Sequence, residues 1–173
     1  MTATDASTSR FPDRDRNDEG KAENQRPRDR YGRPLPRGAP DELANRAEPA
    51  DVVSTVDECL DHVERLFAEQ RFFEAHEFLE WIWKSELIDT DDRDYWKGVT
   101  QVAVGYAHTQ RGNTKGAVTL LERATQYMAP YPPSHGGVEA DRLASDALRV
   151  AQAVRERGAS PDHDFGRFPR VAG

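Results

Sequence analysis

The sequence is poor in cysteine and lysine, and it contains no long apolar run. Cys59 is the only cysteine among 173 residues, which excludes an internal disulfide and a multi-cysteine metal site. It lies on an apolar helical face, which predicts a buried small side chain, not a nucleophile. Met1 to Arg10 has no apolar core, and the longest apolar-leaning run, Gly98 to Ala107, is too short to span a bilayer. These absences favour a cytoplasmic protein that crosses no membrane.

Lysine is scarce and acidic residues are abundant. Only four of the 24 basic residues are lysine, whereas Asp and Glu number 31, and the formal net charge is −7. Residues 1–50 carry ten basic and ten acidic side chains, and residues 51–173 carry 14 basic and 21 acidic ones. The second part therefore repels phosphate backbones, which disfavours nucleic-acid binding by it. This composition fits an acidic protein of a halophile, although a genome rich in G and C would also replace Lys by Arg.

Residues 1–50 form an arm rich in Arg, Asp and Pro with almost no apolar periodicity, a composition typical of disorder. The arm is nevertheless patterned, because Arg-Asp-Arg at 14–16 recurs at 28–30. We hypothesise that residues 26–40 lie extended along their own helical domain, with Tyr31 and Leu35 as apolar anchors, while residues 1–9 stay mobile. The alternative is a solvated tail that only keeps the protein soluble.

From residue 51 the apolar residues recur every three or four positions, which predicts helices. Asn113 is a suitable N-cap, and glycine and proline residues mark the helix ends. The predicted fold is all-α, with two helical hairpins and a closing helix between residues 51 and 158, followed by a tail over 159–173. The five predicted helices cover residues 51–69, 72–87, 93–111, 114–129 and 138–157.

The second and third predicted helices carry the polar residues that are candidates for a site. Acid and imidazole side chains border the apolar face of one helix, and a polar stripe follows the other. If the two helices pack, the stripes meet and form either a metal or substrate pocket or a buried network that fixes helix register. The candidate binding residues are His76, Glu77, Glu80, Lys97, Gln101 and His108. No cofactor follows from them, and their spacing is not that of a zinc protease.

Three blocks of sequence resemble those of domain-of-unknown-function family 309. They are FFEAHEFLEWIW at Phe72–Trp83, WKGVTQVA at Trp96–Ala103 and RGNTKGA at Arg111–Ala117. The resemblance covers about residues 55–130, and residues 26–38 resemble an N-terminal extension of some members. It implies a compact helical fold and no established reaction. The residues that it places at signature positions are His76, Glu77, Glu80, Lys97, Gln101, Gly112 and Asn113.

Three functions remain open at this stage. The first is a non-catalytic interaction module with a protein partner, favoured by the hairpin architecture. The second is a metal- or small-molecule-binding enzyme that uses the His76, Glu77 and Glu80 cluster. The third is a nucleic-acid-associated protein that acts through the nine arginines of residues 1–50. The oligomeric state does not follow from the sequence.

Overall fold

A computed structural model describes residues 26–172, and this part of the chain is helical. Five long helices and one short helix follow one another, with a 3-10 turn at Thr90–Asp92 before the fourth. Within residues 26–172 there is no strand, only isolated β-bridges. The predicted all-α class is therefore confirmed. The helices are α1 (Pro49–Val52), α2 (Val56–Ala68), α3 (Phe72–Lys84), α4 (Arg93–Gln110), α5 (Thr114–Met128) and α6 (Ala140–Arg157).

Local capping explains where two predicted boundaries were wrong. The helix predicted over 51–69 is divided, because Val53 is extended and Thr55 begins α2 with a capping box to Glu58. The helix predicted to reach residue 87 ends at Lys84, because Ser85 is extended and donates its hydroxyl to the Ile82 carbonyl over 2.8 Å. The expected cap at Asn113 is present, since its Oδ1 accepts from the Gly116 amide over 3.0 Å.

The helices form two hairpins, α2–α3 and α4–α5, and α6 closes against α5. The α4–α5 pair is close because glycine faces the neighbouring helix at two positions. A Cβ on Gly98 would lie 2.9 Å from the Ala124 carbonyl oxygen, and one on Gly105 would lie 2.6 Å from Leu121 Cδ2. These distances leave no room for a side chain, so the small residues of α4 determine how closely α5 packs.

The described part of the arm, residues 26–48, lies against the ends of α3 and α4. Arg33 donates to the Arg111 carbonyl over 2.9 Å, and Arg111 Nε donates to the Tyr31 carbonyl over 2.8 Å. Tyr31 and Leu35, the hypothesised anchors, are half-buried, whereas Leu43 is fully buried. The first Arg-Asp-Arg unit and the residues expected to be mobile, 1–9, lie outside the described residues.

The segment after α6 packs on the helices. Phe165 and Phe168 are buried, and the Phe168 ring meets the Phe67 ring edge-on at 5.0 Å. The Arg170 guanidinium pairs with Asp57 at 2.7 Å and with Asp61 at 3.3 Å. The predicted boundaries at 51 and 158 stay predictions, but aromatic residues beyond 158 belong to the core.

No helix in residues 26–172 has the length and apolar character needed to cross a membrane.

Candidate functional site

Helices α3 and α4 pack on each other, and two contacts between aromatic rings and cations define their register. At one end the Lys97 ammonium lies 5.9 Å from the centre of the Trp83 ring. At the other end the Arg111 guanidinium lies 5.5 Å from the centre of the Phe73 ring. The helices are consecutive and antiparallel, and the polar positions predicted from the sequence lie along this pair. We call these positions the interhelical polar strip, which consists of His76, Glu80, Lys97, Gln101 and His108.

His76 is largely buried, with 20% of its side chain exposed. Its Nδ1 contacts the Phe73 carbonyl oxygen, which can only accept, so Nδ1 carries the proton. The other ring nitrogen, Nε2, then has a free lone pair and lies 3.9 Å from the Glu80 carboxylate. Burial lowers the pKa of His76, and the Arg111 and Arg28 charges act in the same direction, whereas Glu80 and the Phe73 carbonyl oppose it. The imidazole is therefore neutral at pH 7 and can accept a hydrogen bond or bind a metal through Nε2.

Glu77 and Glu80 point toward different partners. Glu77 Oε1 lies 2.9 Å from Arg46 Nε of the arm, and burial raises the pKa of this carboxyl although Arg46 opposes the shift. Glu80 pairs with Lys84 at 2.5 Å along α3. Only Glu80 therefore shares the strip with His76, while Glu77 faces the arm.

The α4 residues of the strip differ in whether their polar groups have a partner within the chain. Lys97 Nζ lies 4.8 Å from the Tyr127 ring centre as well as over Trp83, so its charge rests between two aromatic rings. His108 Nδ1 accepts from the Asn113 side chain over 2.8 Å. Gln101 Oε1 is buried and has no hydrogen-bond partner within residues 26–172. A buried acceptor without a hydrogen-bond partner lowers the stability of the fold. Gln101 Oε1 is therefore free to accept a hydrogen bond from a ligand.

Two arginines at the arm end of the strip, Arg28 and Arg111, are not among the residues predicted from the sequence. The buried Arg28 places its guanidinium 4.9 Å from the Phe73 ring centre, so two cations, Arg28 and Arg111, share one ring. Burial lowers the pKa of both guanidinium groups. Arg111 follows His108 by about one helical turn on the same stripe, and this spacing could have identified it as a site residue. No sequence pattern links Arg28 to the site, because it is more than 40 residues from α3 in sequence.

The His, Cys, Asp and Glu side chains do not form a ready-made cluster for a metal. In the part of the chain that the structure describes, no three or more of them come close enough together to hold an ion. His76 and Glu80, 3.9 Å apart, supply two ligand types. Within the described residues, the strip therefore contains single acceptors, His76 Nε2 and Gln101 Oε1, and no complete metal site.

A separate open groove lies between α1 and α3, with a volume of about 670 Å³. Trp81 and the exposed Leu87 contribute apolar surface, together with Pro49 and Ala50 of α1. Its charged lining residues are Glu48, Glu77, Glu80 and Lys84. The candidate residues Glu77 and Glu80 thus lie at the border between the groove and the face that carries His76.

Comparison with known proteins relates the central helices to a domain family. Residues 60–120 match the Domain of unknown function (DUF309). The resemblance seen in the sequence is confirmed over this range. The DUF309 region includes α3, α4 and all six candidate residues, and it excludes the arm, α6 and the segment after it.

The chain is also similar to the uncharacterized protein YpuF of Bacillus subtilis (strain 168). The two are 35% identical over 69 residues, which is 40% of this chain and 39% of YpuF. The chain thus matches well under half of that relative's length. No solved structure matches the chain. The helical segment at residues 60–120 is thus similar to DUF309, and neither match names a ligand, a reaction or a partner.

Proposed function

We propose that this protein is a non-catalytic interaction module that binds a short basic and apolar segment of a partner protein in the groove between α1 and α3. The observation that carries the proposal is the open groove itself, with Trp81 and Leu87 on its surface. Leu87 is 55% exposed, and a large apolar side chain held at the edge of a groove is typical of a recognition surface.

The charge of the groove indicates the chemistry of the partner. Its lining has three carboxylates, on Glu48, Glu77 and Glu80, against the single ammonium of Lys84. The whole chain carries a net charge of −7, so a basic segment would be attracted at long range as well as in the groove. The same charge disfavours a nucleic acid as the ligand of the helical domain.

The polar residues of α3 and α4 also support a binding role over a catalytic one. Glu77, Glu80 and Lys97 are each held by a neighbouring charge or ring of the same chain. Groups committed in this way help to fix the helices in register and are less available for acid–base chemistry. A cytoplasmic location and a salt-rich cell stay proposals that rest on composition.

The test uses two exposed leucines as a matched pair. Peptides selected from a random library on the full chain should combine an apolar residue with Lys or Arg, and they should change the fluorescence of Trp81. Leu87→Asp should weaken their binding by about tenfold or more, which is about 1.4 kcal/mol. Leu148→Asp, at a leucine that is 48% exposed on α6, should leave binding unchanged. Failure to enrich any peptide, or equal loss in both variants, would refute the proposal.

A second candidate function is small-molecule or metal binding in the interhelical polar strip. One observation favours it: His76 Nε2 and Gln101 Oε1 are both acceptors without a committed donor. Elemental analysis of the purified protein tests the metal form of this hypothesis. Zinc, iron or manganese near one per chain, lost in His76→Gln, would support it, and metal-free protein that gains no thermal stability from added ions would refute that form.

The third hypothesis, nucleic-acid association through the arm, has less support. Arg28 and Arg33 of the arm are engaged with Gly32 and Arg111 of the same chain. Arg30 contacts the Tyr31 hydroxyl, and the other arginines of the repeated units, Arg14 and Arg16, lie outside the described residues. The hypothesis therefore rests on composition alone.

A further inference from the structure

Four arginines from three separate segments line one cleft on the side of the molecule formed by α2, α6 and the C-terminal segment. Arg65 is on α2, Arg142 is in the first turn of α6, and Arg167 and Arg170 follow α6. The cleft has a volume of about 440 Å³, enough for a small ligand. We call it the arginine cleft.

The cleft holds more positive charge than its own carboxylates neutralise. The acidic residues that line it are Asp61 and Glu64, so its lining carries two more positive than negative charges, while Asp57 and Glu139 outside the lining pair with Arg170 and Arg142. This excess is notable in a chain whose net charge is −7. Guanidinium groups that share a cleft repel one another, and an anion placed among them would relieve the repulsion.

Two of the guanidinium groups are positioned by neighbours, and two are available. Arg170 is held by Asp57 and Asp61, and Arg65 donates to His62 Nδ1 over 3.0 Å. Arg142 makes a longer ion pair, at 3.5 Å from Glu139, and Arg167 makes no ion pair within residues 26–172.

The backbone that carries Arg167 and Arg170 is fixed. Phe168, between them in sequence, is 2% exposed and packs on Phe67. The Glu139 amide donates to the Pro169 carbonyl over 2.9 Å, and the Val171 amide donates to the Gly137 carbonyl over 3.1 Å. Side chains on an anchored segment lose less freedom when they bind a ligand than those of a free tail.

We propose that the arginine cleft binds a phosphate-bearing ligand. The planar guanidinium fork matches phosphate oxygens with two parallel hydrogen bonds, and four such forks suit a group with more than one negative charge. The same chemistry is offered by a free phosphorylated small molecule and by the phosphate headgroup of a lipid. This site is separate from the groove and from the interhelical polar strip, so it does not depend on the proposed partner segment.

The test is calorimetric titration of the full chain with pyrophosphate at low ionic strength. Arg142→Gln with Arg167→Gln should weaken pyrophosphate binding by about tenfold or more. The matched control, Lys115→Gln with Arg123→Gln, removes the same two charges from the exposed surface of α5 and should change affinity by less than about twofold. Arg142→Lys with Arg167→Lys keeps the charge and removes the fork, and it should bind more weakly than the native chain. All three variants should melt close to the native temperature because the altered side chains are exposed.

Vesicles of phosphatidylcholine with phosphatidic acid distinguish the two sources of phosphate. Co-sedimentation that pyrophosphate displaces and that the Arg142/Arg167 variant loses would assign the cleft to a lipid headgroup. Pyrophosphate binding without co-sedimentation would assign it to a free ligand. No pyrophosphate binding, or equal weakening in the cleft variant and the α5 control, would overturn the proposal.

Discussion

The backbone of Gly32 lies directly against the ring of Phe73. A Cβ built on Gly32 would overlap Phe73 Cδ2, and the backbone there is left-handed, with φ +78°. Phe73 is in the first turn of α3, and Gly32 is in the arm, so this contact joins a segment outside the DUF309 match to a helix within it. The two arginines that share the Phe73 ring, Arg28 and Arg111, surround the same contact.

The first prediction tests this contact through glycine substitution. Gly32→Ala should release the arm, because it adds both a steric overlap with Phe73 and a left-handed backbone strain of about 1–3 kcal/mol. Trypsin should then cut after Arg28 and Arg30 faster than in the native chain. Gly38→Ala is the control, since Gly38 has a similar φ of +88° but nothing within 4 Å of the added Cβ. Equal acceleration by both substitutions would mean that contact with Phe73 does not hold the arm.

The second prediction concerns a buried hydroxyl without a partner. Tyr106 is 1% exposed in the aromatic core, and its hydroxyl has no hydrogen-bond partner within residues 26–172. Tyr106→Phe should therefore leave the free energy of unfolding unchanged or raise it by about 1 kcal/mol. Tyr95→Phe is the contrast, because the Tyr95 hydroxyl donates to the His135 carbonyl over 2.8 Å and its loss should cost about 1 kcal/mol. Urea denaturation measures both, and a clear loss of stability in Tyr106→Phe would contradict the expectation.

The third prediction tests whether the segment after α6 belongs to the core. Phe165 is 1% exposed and packs against the Phe72 ring at 4.8 Å and the Tyr106 ring at 5.1 Å. Phe165→Ala should lower the free energy of unfolding by about 3–5 kcal/mol through the cavity that it leaves. Val171→Ala, at a side chain that is 42% exposed, should change it by less than about 0.5 kcal/mol. If both variants unfold at the same urea concentration as the native chain, the segment does not contribute to the fold.

The fourth prediction is a dependence of stability on pH through His76. Burial lowers the pKa of His76 below its ordinary value of 6.5 in the folded protein, so the unfolded chain binds a proton more readily. The stability from the neutral imidazole is complete above pH 6.5 and is lost as the pH falls below it. The pKa values of His62 and His108 are also lowered, so they contribute in the same direction.

Two measurements isolate His76. Its titration in the folded protein, followed by NMR, should have a midpoint below 6.5, and nitrogen chemical shifts should place the proton on Nδ1. His76→Gln should make the fall in stability between about pH 7 and pH 5 shallower without abolishing it. A midpoint at or above 6.5 would contradict the effect of burial on His76, and a proton on Nε2 would contradict its hydrogen bond to the Phe73 carbonyl.

Sequence alone was sufficient where the signal is local. Helical periodicity identified the five long helices, and Asn113 marked the start of α5, because caps and apolar spacing involve residues within one or two turns. The polar stripes of α3 and α4 stay a prediction from spacing, since residues three and four apart share a face. The sequence could not supply the boundaries at Val53 and Ser85, where single residues adopt extended backbone.

Only the tertiary structure decided which partners these side chains have. The sequence placed His76, Glu77 and Glu80 in one cluster, but packing turns Glu77 toward Arg46 of the arm and leaves Glu80 beside His76. It also buries Phe165 and Phe168, which follow the last helix without any periodic pattern. The physical reason is the same in each case: an ion pair or a ring contact between distant segments depends on how the chain folds back, and neither composition nor spacing records it.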